Sequence, residues 1–149
     1  GIRVPYIVSW PGVLPEGFTY TGPVSSLDIA ATAVRAAGRP VDDRLEGVNL
    51  VDKLNNPQDE DAKRMLCWKW NTQAAIRFGQ WKYYRLGDKE YLFDLSSPED
   101  ERRNLIAVEP ERAKNLLAAL EKWSKANFKT ALPGPIDRQT QLRFDRYFK

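Results

Sequence analysis

Between Met65 and Leu95 the sequence holds four short runs rich in aromatic and β-branched residues: Met65 to Trp70, Gln73 to Phe78, Gln80 to Leu86 and Glu90 to Leu95. Asn71-Thr72, Gly79 and Gly87-Asp88 mark the breaks between them. Nothing else in the chain constrains its fold so tightly. Connections this short join antiparallel neighbours, so the runs read as a meander. A sheet must bury at least one face, and the next periodic segment supplies the cover. Pro110 suits a first helical position, and Ala113, Leu116, Leu117, Leu120 and Trp123 follow as an apolar stripe. The expected unit is a small α+β subdomain, four antiparallel strands packed by one helix.

The N-terminal third reads differently. Arg3 to Trp10 alternates, with Val4, Tyr6, Val8 and Trp10 on one side, which predicts a strand; Pro5 lacks a ladder donor and belongs near its start or at an edge. Pro11-Gly12 ends it, and a turn-rich loop runs to Gly22. Ser25 and Asp28 have capping-box-like spacing, and Leu27, Ala30, Ala31 and Val34 then recur at helical period until Gly38 and Pro40 stop the run. This predicts a small-residue helix from Ser26 to Ala37 that can lie close against a sheet. From Val41 to Lys63 the chain turns polar; Leu45, Val48, Leu50 and Leu54 can pin part of it, and Asn55 to Lys63 reads as linker or loop. The acidic residues between Asp42 and Asp61 match no EF-hand spacing and read as a solvated face.

Composition narrows the function. At 149 residues, 42% hydrophobic and 29% charged, the chain has the size and balance of one ordinary soluble domain. No stretch approaches the roughly 18 apolar residues of a membrane span, so no membrane partner is expected. The net charge of +3 is spread among 20 acidic residues, which does not announce a nucleic-acid partner. Cys67 is alone and can form no internal disulfide. Histidine is absent altogether. Imidazole is the usual group for proton transfer near neutrality and for metal ligation, so this chain does not supply that part of any hydrolytic site.

Several segments, taken together and in order, resemble the C-terminal part of a sulfatase, the sulfate-ester hydrolases of alkaline-phosphatase-like fold. They are G-x-R-V-P-x-I-V-x-W-P-G at Gly1 to Gly12, P-V-S-S-L-D-I at Pro23 to Ile29, A-G-x-P at Ala37 to Pro40 and L-E-G-V-N-L at Leu45 to Leu50. They continue with L-x-W-x-W-N-x-Q-x-A-I-R-x-G-x-W-K at Leu66 to Lys82, L-F-D-L at Leu92 to Leu95 and P-E-D-E-x-x-N-L at Pro98 to Leu105. The resemblance implies that Gly1 is the second glycine of a Gly-Gly-x-Arg-x-Pro segment lying well past the middle of a longer polypeptide. It implies that residues 1–53 close an alkaline-phosphatase-like α/β domain with a strand and a helix. Residues 54–63 would be a linker, 64–128 the C-terminal α+β subdomain, and 129–149 an extended aromatic-basic tail.

The same resemblance implies chemistry for the parent. Sulfatases use a formylglycine made from Cys or Ser in a C/S-x-P-x-R motif, with a calcium ion screening the sulfate. Cys67 is followed by Trp68-Lys69-Trp70 and lacks that motif, so it reads as a small hydrophobe in a strand, and no catalytic or metal residue is expected in this chain. The implied partners are the missing N-terminal catalytic portion and a sulfated small molecule or glycan; the implied location is periplasmic or secreted. In sulfatases the turn after the first strand of the C-terminal subdomain lies near the pocket mouth. Here Lys69, Trp70, Asn71 and Gln73 are therefore the candidate substrate-binding residues: a flat indole for a ring, a positive charge for an anion, and amides for hydroxyls. Some relatives carry Glu-His-Glu-Gly-Asn at Lys69 to Gln73, and this chain departs from them. The same residues also suit packing and a good turn, with Trp68 favoured as core. Arg3 is expected to brace carbonyls or a carboxylate, and Asp28 to act as a helix-start charge or arginine partner. The tail QLRFDRYFK fits either an anionic polymer held by charge and stacking or basic residues snorkelling over the protein's own apolar surface. A stand-alone binding module and a related phosphatase or phosphonate hydrolase are the competing readings.

Overall fold

The structure is a computed structural model that describes residues 3–56, 63–70 and 73–126. The chain divides into two compact units, Gly1–Lys63 and Arg64–Lys149.

The second unit is the antiparallel meander: β1 (Met65–Trp70), β2 (Gln73–Phe78), β3 (Trp81–Leu86) and β4 (Lys89–Asp94), in spatial order β1-β2-β3-β4. Two-residue turns set the register. Gly79 and Gly87 hold φ of 60° and 59° at the first central positions, where a side chain would be strained, as in hairpin turns whose twist matches the strands. Phe78 consequently faces Trp81, and Leu86 faces Lys89. Alternation then sorts the side chains. Cys67, Ile76, Tyr83 and Leu92 form one cross-strand row on the face that helix α3 (Pro110–Ala126) covers. Ile76, Tyr83 and Leu92 have no exposed surface, and Ala113, Leu116 and Leu120 pack on them at the i, i+3, i+7 spacing of one helix stripe. Each such large side chain contributes roughly 1.5–3 kcal/mol on burial. Arg112 lies 4.2 Å over the Trp81 ring near the start of α3, while Lys69 Nζ donates to Ser124 Oγ at 2.8 Å near its end. The helix therefore runs along the strands.

The outer edge of β4 is closed by a side chain. Asn104 Oδ1 accepts from Leu92 N at 2.9 Å and from Ile106 N at 3.1 Å, its Nδ2 donates to the Glu90 carbonyl at 3.2 Å, and Leu105 N donates to the Leu92 carbonyl at 2.8 Å. An asparagine and one backbone amide thus do what a fifth strand would do. A 3-10 turn over Asp100–Arg102 precedes it, with Glu101 paired to the Lys82 ammonium.

In the first unit, α1 (Leu27–Ala36) occupies the predicted helical run. Asp28 is fully buried and does more than charge the helix start. Its Oδ2 accepts from Ser25 N at 2.8 Å and its Oδ1 from Val48 N at 2.9 Å. One turn on, Thr32 Oγ1 accepts from Leu50 N at 3.0 Å. Residues four apart on a helix share a face, and alternate amides of an extended segment point the same way, so the two acceptors match the two donors. Asn49 between them caps a short helix, α2 (Leu50–Asn55), by accepting from Val51 N.

Two expectations change here. Arg3 to Trp10 forms no ladder, because a strand exists only against a partner strand and none lies in this unit among the described residues. Arg3 itself is exposed. Leu50 to Asn55, where no helix was expected and whose last two residues fall in the expected linker, is helical because Asn49 caps it and Leu50 is buried. Pro57 to Ala62 of the linker and the tail from Lys129 to Lys149 lie outside the described residues.

Candidate functional site

The hairpin of β1 and β2 places its residues by parity. Trp70 and Gln73 are register partners, so their side chains stand together on the face away from α3. Lys69 pairs with Ala74 and projects to the α3 side, where its ammonium donates to Ser124. Asn71 lies outside the described residues. Of the four candidates, the structure brings Trp70 and Gln73 together and turns Lys69 to the opposite face.

Trp70 is 70% exposed, a high value for an indole. Gln73 is half-buried, and its Oε1 accepts from the Tyr84 hydroxyl at 3.0 Å. Tyr84 sits directly opposite Ala75, hence diagonal to Gln73 on the same face. Behind it, the Tyr91 ring is 6.0 Å away, and Phe93 stacks on Tyr91 at 6.0 Å with 13° between planes. Trp68 shares this face by parity and is half-buried, covering the sheet beside Ala75. The face is thus a row of rings ending in one open indole beside one anchored amide. Burial, and after it the neighbouring Tyr91, pushes the Tyr84 phenol from its ordinary 10.0 up to about 12, so it remains a donor throughout the neutral range.

On the α3 face, the Tyr83 hydroxyl is buried beside Glu90 without reaching hydrogen-bonding geometry. Burial first, and then the adjacent carboxylate, drives that phenol above the ordinary tyrosine range. Arg85 Nη1 stands 3.9 Å from Glu121 in the same region. These groups close the end of the core.

The described residues do not fit a metal or a formylglycine. Among them, no three His, Cys, Asp or Glu side chains converge on a possible ion position. Cys67 lies in β1, half-buried against the core, in the sequence Cys-Trp-Lys-Trp. Asp28, the one fully buried carboxylate described, already holds two backbone amides.

Sequence reasoning missed Tyr84. The signal was present in the turn lengths: once Gly79-Gln80 is counted as a two-residue turn, Phe78 faces Trp81 and Tyr84 falls diagonal to Gln73.

The architecture recurs in solved structures. Ps i-CgsB aligns over 92% of this chain and 32% of its own with a TM-score of 0.72 at 23% identity, and its complex with k-i-k-neocarrahexaose aligns equally well, at 0.71. Sequence comparison carries the assignment further: the chain belongs to the sulfatase family and matches its C-terminal region. Arylsulfatase K of Danio rerio is 30% identical over 127 residues, 76% of this chain and 24% of that protein. The ulvan-active sulfatase of Formosa agariphila is 25% identical over 120 residues, and human arylsulfatase D is 40% identical over 68. No protein-family model matches the chain. The chain spans about a quarter of the length of arylsulfatase K and of the ulvan-active sulfatase.

Proposed function

We propose that this chain is the C-terminal part of an exported sulfatase that hydrolyses sulfate esters of a carbohydrate or an aryl alcohol. In it, residues 1–53 complete the catalytic domain and residues 64–128 form the subdomain that shapes substrate access. The observation that carries the reading is the 30% identity to arylsulfatase K over 76% of the chain. The first unit supports it physically. Among its described residues, only Pro23, Ala31 and Leu50 are buried apolar side chains, while Ile7 is 91%, Val4 70% and Ile29 57% exposed. A groove of about 240 Å³ lined by Tyr6, Val8, Trp10, Ile29, Ala33 and Leu50 adds apolar surface. So much exposed hydrocarbon marks a surface that other polypeptide covers; the preceding catalytic portion of the parent is that partner.

Formylglycine and calcium would supply the nucleophile and charge screening in the parent, and neither fits the residues described here. The contribution of this chain is recognition. Trp70 offers a flat apolar face to a pyranose or aryl ring, Gln73 and Asn71 offer amides, and Lys69 adds positive charge from the other side of the hairpin without touching the substrate. The name of the ulvan-active sulfatase, and the neocarrahexaose bound by a protein of the same architecture, favour a sulfated polysaccharide as the substrate class.

The test is the full reading frame and its product. A C/S-x-P-x-R site ahead of Gly1 is expected, and the purified parent should cleave nitrophenyl sulfate or oligosaccharides of carrageenan, ulvan or a glycosaminoglycan. The 149-residue chain alone should cleave none of them. A reading frame without the site, or calcium-dependent turnover by this chain alone, overturns the proposal.

A further inference from the structure

We propose that Tyr84 is a positioning residue for substrate recognition: its hydroxyl anchors Gln73 Oε1 and so presents the Gln73 amide nitrogen, beside the Trp70 indole, to an acceptor oxygen of a sulfated sugar. The inference rests on the reading of the hairpin as the substrate rim.

A glutamine side chain has one acceptor end and one donor end, and a mobile glutamine shows a ligand either. Here the 3.0 Å bond from Tyr84 engages the acceptor. With Oε1 turned to Tyr84, the end of the amide turned away from it is the NH2, a donor. Sulfate and hydroxyl oxygens of a sulfated pyranose are acceptors, so the orientation selects for them.

The surroundings support a built device. Ala75, directly opposite Tyr84 and two residues from Gln73, is small enough to let the phenol lean diagonally across the strands; both are on the face of Trp70. Diagonal neighbours on a sheet are about 7–8 Å apart at their Cα atoms, within reach for a tyrosine and not for a serine. The Tyr91 ring at 6.0 Å backs Tyr84, and Phe93 backs Tyr91, so the ring is held before any ligand arrives. A donor fixed in advance loses little conformational entropy on binding. A sugar lying flat on the exposed Trp70 indole carries its oxygens at the ring edge, and the register partner Gln73 stands at that side of the indole. Nothing in the rim reading by itself requires Tyr84; its geometry does.

The experiment uses the full-length enzyme, with whichever carrageenan, ulvan or glycosaminoglycan oligosaccharide it turns over best and with nitrophenyl sulfate as a small control. Tyr84→Phe removes only the hydroxyl. Its oligosaccharide KM should rise about two- to tenfold with kcat unchanged, the effect of one neutral hydrogen bond. The nitrophenyl sulfate KM should not move. In a Gln73→Ala background, Tyr84→Phe should add nothing, because the group it orients is gone. If Trp70→Ala and Gln73→Ala raise the oligosaccharide KM but Tyr84→Phe does not, the positioning role is wrong and the rim stands. If Tyr84→Phe alters kcat on both substrates alike, or costs thermal stability without moving KM, the tyrosine is structural and the proposal is overturned. If neither Trp70→Ala nor Gln73→Ala matters, or no oligosaccharide is turned over, the rim reading itself falls.

Discussion

Gly47 lies against the first turn of α1 so closely that a Cβ built on it would stand 2.1 Å from the Leu27 carbonyl oxygen and 2.6 Å from its carbon. Those are backbone atoms of a helix and cannot swing aside. The approach is what lets Val48 N reach Asp28 and Leu50 N reach Thr32. Gly47→Ala should therefore open the strap and cost about 1–3 kcal/mol, the range for overpacking. Thermal or urea denaturation checks it. An alanine variant as stable as the parent sequence would show that the loop does not need this contact.

Asn104 satisfies two amides and one carbonyl at the β4 edge. Asn104→Ala should destabilise the second unit by roughly 1–3 kcal/mol through unpaired backbone groups. Hydrogen exchange should localise the damage, with Leu92 and Ile106 amides losing protection before those of β2. Uniform loss across the sheet, or none, would contradict the assignment.

Much of this was legible in the sequence, for physical reasons that differ by element. Four runs with only short breaks between them leave one pairing pattern, so the meander and α3 followed from spacing and periodicity alone. Arg3 to Trp10 carries the pattern of a strand, yet pattern supplies no partner, and the ladder is missing. Asn49 and Leu50 make a helix only because one caps and the other is buried under α1's reach; six residues are too few for propensity to reveal. At the hairpin, residue type pointed to Lys69, Trp70, Asn71 and Gln73, but side-chain parity separates Lys69 from Trp70 and Gln73. Tyr84 carried no local signal, since its role arises across strands.

Lys69 is read as acting on the substrate at a distance, because its ammonium is bonded to Ser124 on the α3 side. In the parent enzyme, Lys69→Gln should raise KM for an anionic substrate about twofold at low ionic strength, and the effect should vanish near 1 M salt, where the screening length is about 3 Å. A KM rise that persists at high salt would mean direct contact.

Tyr84 makes the fold sensitive to alkali. Its folded-state value of about 12 exceeds the ordinary 10.0, so the protonated phenol is favoured in the native protein. That contribution to stability is whole below pH 10 and is lost as the pH rises from about 10 towards 12. Tyr83 is displaced in the same direction. Of the six tyrosines, at least one should ionise late in a tyrosinate absorbance titration, and Tyr84→Phe should remove part of that late phase and flatten the loss of stability above pH 10. Six tyrosines titrating together near their ordinary value would refute it.

The sealing of β4 by Asn104 and Leu105 reaches beyond this subdomain's own stability. Open-ended cross-β growth requires every newcomer to offer two receptive borders, one to join by and one to extend from. A meander whose last border is already engaged at Glu90 and Leu92 is a poor template for such growth, and this holds whatever becomes of the border at β1.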